Sequence, residues 1–378
     1  MWGISGRQKT DLEALTRNGW DHFYSLEYDQ AIEDFQKVLN ARPDDPAAIN
    51  HLLDAILYRE LYKYNALDTG LYTKQGFVTS KQVPLEASAK NQIRDLSERA
   101  LSASDKRLKS DPKDVEALYA RGTTEGIRAT YLVLVEKSWF SGLRSALAAR
   151  RDQEEVLRLR PDMVDAKTIV GAHLYVVGSL TLPIKAMAGI AGIHGDKKRG
   201  LEMLAEAGRG GGETSTDARV ALALFLRRES RFQDALNVVH SLTHDHPRNF
   251  LFALEEGNLL KDADRNREAA TSFRNLIKGC QEGRYPNARI ESAQLALGDS
   301  LRAQKELSEA YQAYHAAGAS SSRPDIRQQS LLEAGEISDL LARRDQALVE
   351  YRAAVALDGS TEEAETARKY LDKPYRGR

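Results

Sequence analysis

The chain has 378 residues, of which 42% are hydrophobic, so it is large and apolar enough to bury a continuous core. Its 54 Lys and Arg residues balance 55 Asp and Glu residues, which argues against non-specific nucleic-acid binding and against a polybasic membrane anchor. The single cysteine, Cys280, excludes an internal disulfide and a Cys-rich zinc site. No apolar run reaches the roughly 18 residues that a membrane span needs. The start, Met1 to Arg7, has no cationic segment followed by an apolar one, so we expect no signal peptide, and the compartment stays open.

The N-terminal segment predicts two helices joined by a short turn. Ala31, Phe35 and Val38 lie four and three residues apart, which places them on one helical face. Pro43 cannot extend that helix and therefore marks its end. Ala31 allows the partner helix to approach closely, while Phe35 fills the space beside it, and Gly19 belongs to the preceding helical stretch.

The first half also contains extra residues between the paired helices, at about 58–85, 127–143 and 178–195. Loops of that type emerge on one edge of a stacked array, and these three segments are rich in large apolar side chains. The favoured interpretation is that they bury one another as a local subdomain. The alternative is a ligand pocket or an exposed patch, with these candidate residues: Tyr62, Tyr72, Trp139, Phe140, Ile184 and Ile190.

The second half repeats one pattern, in which a glycine in one helix is followed by an alanine and an aromatic residue in the next. The three sets are Gly257, Ala269, Phe273; Gly298, Ala310, Tyr314; and Gly335, Ala347, Tyr351. The small residues of five successive second helices are spaced by 35, 34, 41 and 37 residues. Such a period predicts stacked helix pairs, with residues 361–371 as a lone capping helix.

Several stretches of the chain resemble a known family of helical repeats. The N-terminal pair resembles the tetratricopeptide repeat (TPR), a helix pair of about 34 residues. Residues 19–31 with 58–61, and residues 175–180 with 194–200, resemble a group of bacterial TPR proteins of unassigned function, whose members often carry an export signal. The stretch with Leu182, Pro183, Gly195 and Asp196 is also loosely similar to eukaryotic inclusion-body clearance proteins of the same repeat class.

The predicted fold is therefore all-α: a right-handed α-solenoid of about eight TPR helix pairs with a C-terminal capping helix. Residues 1–215 hold the pairs with apolar insertions, and residues 216–378 hold the regular pairs of the same continuous solenoid.

The resemblance implies an inner groove lined by the first helix of each pair. Phasing on the recurring small residues places Arg227, Lys261 and Arg302 at matching inward positions, and Asp339 breaks the series. A row of cations favours an acidic or carboxylate-bearing peptide. The alternative is that each cation pairs with a neighbour in the adjacent row, which consists of Asn258, Asp299 and Glu336. In the N-terminal first helix, Trp20 and Phe23 are the candidate groove residues.

Chemical signatures are weak. His240, His244 and His246 lie within one short segment, but histidines near a helix C-terminus also interact favourably with its dipole. The Gly-rich stretch at 208–212 lacks the Lys that completes a phosphate-binding loop. We therefore expect no metal, no cofactor and no enzyme activity. The predicted function is a non-catalytic scaffold that binds a protein or peptide partner; the alternative is a small-molecule or lipid-binding component that uses the insertions, with peripheral membrane contact left open.

Overall fold

The computed structural model describes residues 6–72, 82–180 and 194–377, and its regular secondary structure in these ranges is helical. The α-helices are α1 (Gly6–Tyr24), α2 (Tyr28–Ala41), α3 (Pro46–Lys63), α4 (Ala87–Ser110), α5 (Val115–Leu134), α6 (Trp139–Leu159), α7 (Lys167–Gly178), α8 (Lys197–Arg209), α9 (Ser215–Arg228), α10 (Phe232–Asp245), α11 (Phe250–Asp262), α12 (Asn266–Gln281), α13 (Ile290–Ala303), α14 (Leu307–Ser320), α15 (Pro324–Leu340), α16 (Arg344–Leu357) and α17 (Glu362–Asp372). Within the described ranges they form eight consecutive pairs, α1/α2 to α15/α16, and a final single helix. The all-α fold of stacked helix pairs and the closing helix are as predicted.

Contacts between residues divide the chain into two compact units, Met1–His246 and Pro247–Arg378, called unit 1 and unit 2 below. Unit 1 contains α1 to α10, and unit 2 contains α11 to α17. The division predicted at residues 215/216 separates pairs with long connections from regular pairs, so it describes a different property of the chain.

The recurring glycine and aromatic residue face each other in four of the helix pairs. A Cβ atom on Gly298 of α13 would lie 2.5 Å from Cε1 of Tyr314 on α14, which is too close for a real side chain. The same contact occurs in the pairs Gly19–Phe35, Gly257–Phe273 and Gly335–Tyr351. All four rings are almost completely buried. The sequence period is therefore a packing contact: the glycine leaves the space that the ring fills.

The turn between the two helices of a regular pair has one backbone shape. One residue in each turn adopts a left-handed φ near +60°, and these residues are Leu26, Ser230, Asp264, Lys305 and Ala342. The N–H of the following residue bonds back into the first helix, as when Arg343 donates to the carbonyl of Ser338 at 2.8 Å. This pattern satisfies carbonyl groups at the helix end and sets a similar reversal in each pair.

Two of the extra segments of unit 1 contact each other at their described ends. The second apolar segment, expected as a loop at 127–143, mostly lengthens α5 and α6 and leaves only residues 135–138 between them. No proline interrupts this segment, so its helices can continue. The first segment returns against it: Gln82 Nε2 donates to the carbonyl of Val135 at 2.7 Å, and Val83 N–H to the carbonyl of Leu134 at 3.4 Å. The described ends of these two insertions thus lie side by side.

Candidate functional site

In unit 2, the two predicted groove cations lie on the surface formed by the first helices of the pairs, α11, α13 and α15. Lys261 Nζ lies 2.8 Å from Asp299 Oδ2, and the other oxygen of that carboxylate accepts from Tyr314 at 2.9 Å. Asp299 belongs to the adjacent row named in the sequence analysis. Lys261 therefore already has an anionic partner within the unit.

Arg302 is more heavily engaged. Its guanidinium lies 2.5 Å from Glu333 and 2.5 Å from Glu336, both on α15. It also donates to the hydroxyl oxygen of Tyr375 at 2.6 Å, which comes from the segment after α17. Burial and the neighbouring Glu336 raise the pKa of Glu333 to about 7, against the opposing effect of Arg302. Both predicted groove cations of unit 2, Lys261 and Arg302, are thus paired with carboxylates where the sequence predicts a cationic row.

Arg227, the third predicted cation, belongs to unit 1. It lies near the C-terminal end of α9 and is only 7% exposed. Its guanidinium approaches Oγ1 of Thr69 at 3.4 Å, in the connection that follows α3. Arg227 therefore joins the fifth helix pair to an insertion segment of the same unit.

The predicted aromatic groove residues are part of a packed aromatic group. Phe23 is 4% exposed, and its ring centroid lies 5.1 Å from those of Trp20 and Tyr24 and 5.2 Å from that of Tyr58. Trp20 is half-buried, with its ring centroid 5.1 Å from that of Phe35. Phe23 thus supports the tyrosines around it.

Those tyrosines meet carboxylates from two other helices of unit 1. Tyr24 of α1 donates its hydroxyl hydrogen to Asp217 of α9 at 3.1 Å. Asp54 of α3 interacts electrostatically with Asp217 and with the tyrosine hydroxyls at positions 28 and 58. We call Tyr24, Tyr28, Asp54, Tyr58 and Asp217 the tyrosine–carboxylate cluster.

Both carboxylates of this cluster have raised pKa values. Burial, reinforced by the charge of Asp217, raises the pKa of Asp54 well above its ordinary value. Burial raises the pKa of Asp217 to about 7, although the hydrogen bond from Tyr24 opposes this shift. Neither carboxylate forms an ion pair with any residue of the described ranges. Both side chains nevertheless retain partial exposure, so a cation from solvent or from a partner can reach them.

The edge of the cluster carries one further polar pair. His51 Nε2 lies 2.6 Å from Glu213 Oε1, and the His51 ring packs against that of Trp20 at 5.2 Å. Glu213 is among the groups that raise the pKa of Asp217 and Asp54. The His51–Glu213 pair thus lies beside the cluster and joins α3 to the segment just before α9.

No sequence motif points to the tyrosine–carboxylate cluster. Asp54 and Asp217 lie in helices far apart in the chain, and neither stands in a motif. Tyr28 lies within the N-terminal helix pair, and Tyr58 lies at the start of the first extra segment. The one signal available was the density of tyrosines in the first two pairs, which does not by itself locate an acidic partner.

The candidate insertion residues lie in different surroundings. Tyr62 is 8% exposed and packs against the ring of Tyr28 at 5.9 Å. Tyr72 donates its hydroxyl hydrogen to the carbonyl of Ala66, and burial raises its pKa to about 12. Trp139 has Lys137 Nζ 6.0 Å from its ring centroid, and Phe140 is 87% exposed. Ile184 and Ile190 lie outside the described residues.

In the described part of the chain, no group of three or more His, Cys, Asp or Glu side chains is arranged to hold a metal ion. Of the three clustered histidines, His246 packs its ring against Tyr24 at 4.9 Å and approaches Thr216 at 3.0 Å. None of the described helices combines the length and hydrophobicity required to cross a bilayer.

Repeated helix pairs with a glycine–aromatic contact and a common turn define the architecture. The fold is TPR-like. No protein-family model matches the chain, and no curated protein matches it.

Many solved structures are similar to this chain, and three of them illustrate the similarity. Yeast Tom70 is 10% identical, with a TM-score of 0.43 over 97% of this chain and 96% of that one. Pseudomonas aeruginosa PilF is 15% identical, with a TM-score of 0.43 over 68% and 99%. A tetratricopeptide repeat protein from Parabacteroides merdae is 14% identical, with a TM-score of 0.34 over 86% and 99%. This similarity concerns the helical fold and carries no information about partners.

Proposed function

We propose that this protein is a non-catalytic interaction scaffold that binds a protein or peptide partner on the first-helix surfaces of its pairs. In unit 1 the binding site is the tyrosine–carboxylate cluster, and the partner segment presents a basic side chain to it. The observation that carries this proposal is the pair Asp54 and Asp217, whose carboxylates lie close together without a cation in the described structure.

Such a pair is unfavourable for folding. Desolvating an ionised carboxylate costs free energy unless an opposite charge compensates, and two neighbouring carboxylates repel each other. Apolar or amide side chains would fill the same space without this cost. Groups with strongly shifted pKa values in a partly exposed site are therefore candidates for function.

The surrounding rings favour a cation as the occupant. Tyr24, Tyr28 and Tyr58 flank the two carboxylates, and a Lys or Arg side chain gains both an ion pair and contact with aromatic faces in such surroundings. A bound cation would also lower the pKa of Asp217 from about 7, so that the carboxylate is ionised in the complex.

The acidic partner that the cationic row predicts stays a prediction. An acidic segment bound at Lys261 or Arg302 would have to displace Asp299, or Glu333 and Glu336, from the cations. The near-neutral net charge of −1 favours a protein partner over nucleic acid. It supplies no large positive field for a phosphate backbone.

The test is selection of random extended peptides displayed against the intact protein, followed by sequencing of the bound pool. We expect enrichment of Lys or Arg at one position, and loss of that enrichment in the Asp54→Asn/Asp217→Asn double variant. The matched control is Asp162→Asn, since the Asp162 side chain is 81% exposed and has only a long ion pair of 4.0 Å.

Affinity of a selected peptide should also fall as salt is raised from about 0.05 to 0.5 M, because partly exposed charge pairs are screened. Enrichment of purely apolar or acidic peptides, or equal binding by the double variant and the wild type, would show that the cluster is not the partner site.

A further inference from the structure

The segment that follows α17 folds back onto the first-helix surface of unit 2. Residues 373–377 cross α13 and α15, the first helices of two successive pairs, and Tyr375 is their contact point. Tyr375 is 9% exposed, whereas Lys373, Pro374, Arg376 and Gly377 are exposed. The segment is thus held through one buried side chain.

Tyr375 makes side-chain and backbone contacts with the first helices, and its ring also packs against that of Tyr370 on α17, with the centroids 5.2 Å apart. Its ring centroid lies 5.1 Å from Cζ of Arg302, and its hydroxyl oxygen accepts from that guanidinium at 2.6 Å. Its backbone N–H donates to Asp339 Oδ2 at 2.8 Å. Asp339 is 1% exposed at its side chain and is held by Arg344 at 3.0 Å. The first kind of contact is specific for a tyrosine, and the second suits any extended backbone with a free N–H.

Arg302 and Asp339, the two residues that hold Tyr375, occupy equivalent positions in successive repeats. Arg302 lies four residues after Gly298, and Asp339 lies four residues after Gly335. Asp339, which breaks the predicted cationic series, therefore provides the acceptor for a crossing chain. Through these two residues the surface already holds a short segment of chain.

The charges around the site match that segment. Four carboxylates face three cations on this surface: Asp299, Glu333, Glu336 and Asp339 against Lys261, Arg302 and Arg344. The segment itself carries exposed Lys373 and Arg376 on either side of the anchor. A basic segment therefore suits this surface better than an acidic one.

We propose that the first-helix surface of unit 2 binds an extended, basic, tyrosine-containing segment of a partner protein, and that residues 373–377 occupy this site until the partner displaces them. A segment anchored by one side chain is a weak occupant, and its advantage is that it is tethered. Short tethers give effective concentrations of about 1 mM, which a free segment of higher intrinsic affinity overcomes.

The proposal shares with the proposed function the premise that this protein binds chain segments, but it uses different residues. Substitutions at Asp54 and Asp217 leave the unit 2 surface intact, so the failure of one site is distinguishable from the failure of the other.

The probe is a fluorescein-labelled peptide with the sequence of residues 371–377, Leu-Asp-Lys-Pro-Tyr-Arg-Gly, titrated against the full chain by fluorescence anisotropy. We expect it to bind the Tyr375→Ala variant at least about tenfold more tightly than the wild type, because the tethered competitor is removed. A peptide with Ala in place of Tyr should not bind. Phe140→Ala is the matched control, since it removes an aromatic ring of unit 1 that is 87% exposed and leaves residues 373–377 unchanged.

Equal binding of the peptide to the wild type and to Tyr375→Ala, or no binding to either, would overturn the proposal. Hydrogen exchange of the wild-type Tyr375 amide provides a test without substitution, because this N–H is protected only while it is bonded to Asp339. We expect its exchange to be at least about a hundredfold faster than that of the central amides of α15, as for a locally opening segment. Exchange as slow as in α15 would show that the segment is a fixed part of unit 2.

Discussion

Replacing Asp217 by Asn should stabilise the protein at pH 8 and leave its stability at pH 4 almost unchanged. In the folded chain the pKa of Asp217 is about 7, whereas an aspartate in an unfolded chain titrates near its usual value of 3.8. The folded state therefore holds the proton more strongly between these two values. Stability falls as pH rises through this window, since deprotonation favours the unfolded chain. An asparagine does not titrate and removes this loss, while its carbonyl still accepts from Tyr24.

The magnitude follows from the shift. A shift from 3.8 to about 7 corresponds to about 4 kcal/mol, at about 1.4 kcal/mol per pKa unit. Asp217 keeps part of its surface in water, which weakens the desolvation effect, so we expect about half of this, ~2 kcal/mol, at pH 8.

The assay is urea unfolding followed by circular dichroism at pH 4, 5, 6, 7 and 8 for the wild type and Asp217→Asn. Glu333 contributes equally to both proteins, so the difference between the two curves reports Asp217 together with its electrostatic coupling to Asp54. Asp162→Asn, at an 81% exposed position, is the control and should show no pH-dependent difference. A difference between wild type and Asp217→Asn that is constant from pH 4 to 8 would refute the reasoning. If the cluster also binds a basic side chain, Asp217→Asn should increase the stability of the protein and decrease its affinity for a basic peptide.

Three further predictions concern the fold. Gly298→Ala should lower the free energy of unfolding by about 1–3 kcal/mol, because its Cβ would meet the buried Tyr314 ring, whereas Gly126→Ala should be neutral or stabilising because only the end of Ile169 is near. Ala342→Gly should raise the free energy of unfolding by about 0.5–1 kcal/mol, since it relieves a φ of +60° at an exposed turn position; unchanged or lowered stability in thermal unfolding would contradict this. Phe140→Ser should change the free energy of unfolding by less than about 0.5 kcal/mol, because the ring is 87% exposed. A larger loss of stability in thermal unfolding would show that this ring is buried in solution.

Much of the architecture follows from the sequence because its cause is local and repeated. The glycine and aromatic residues recur with nearly the same separation, and each such set builds one helix pair whose two helices are neighbours in the chain. A pattern of that kind is readable in one dimension, since each contact lies within one repeat. The same logic predicted the closing helix at 361–371, which the structure places at Glu362–Asp372. The second insertion departed from expectation because apolar residues without proline can extend a helix as well as form a loop.

The candidate sites depend on contacts between residues far apart in the chain, which only the tertiary structure decides. Asp54 and Asp217 meet because unit 1 brings α3 and α9 together, and nothing near either residue in the sequence signals the other. The cationic row was visible from repeat phasing, but its neutralisation was not, because Arg302 meets Glu333 and Tyr375 on other elements. Asp339 is an interruption in the sequence series and an acceptor for a crossing backbone in the structure. Local periodicity determines which side chains share a surface, and three-dimensional proximity determines which of their charges are already satisfied.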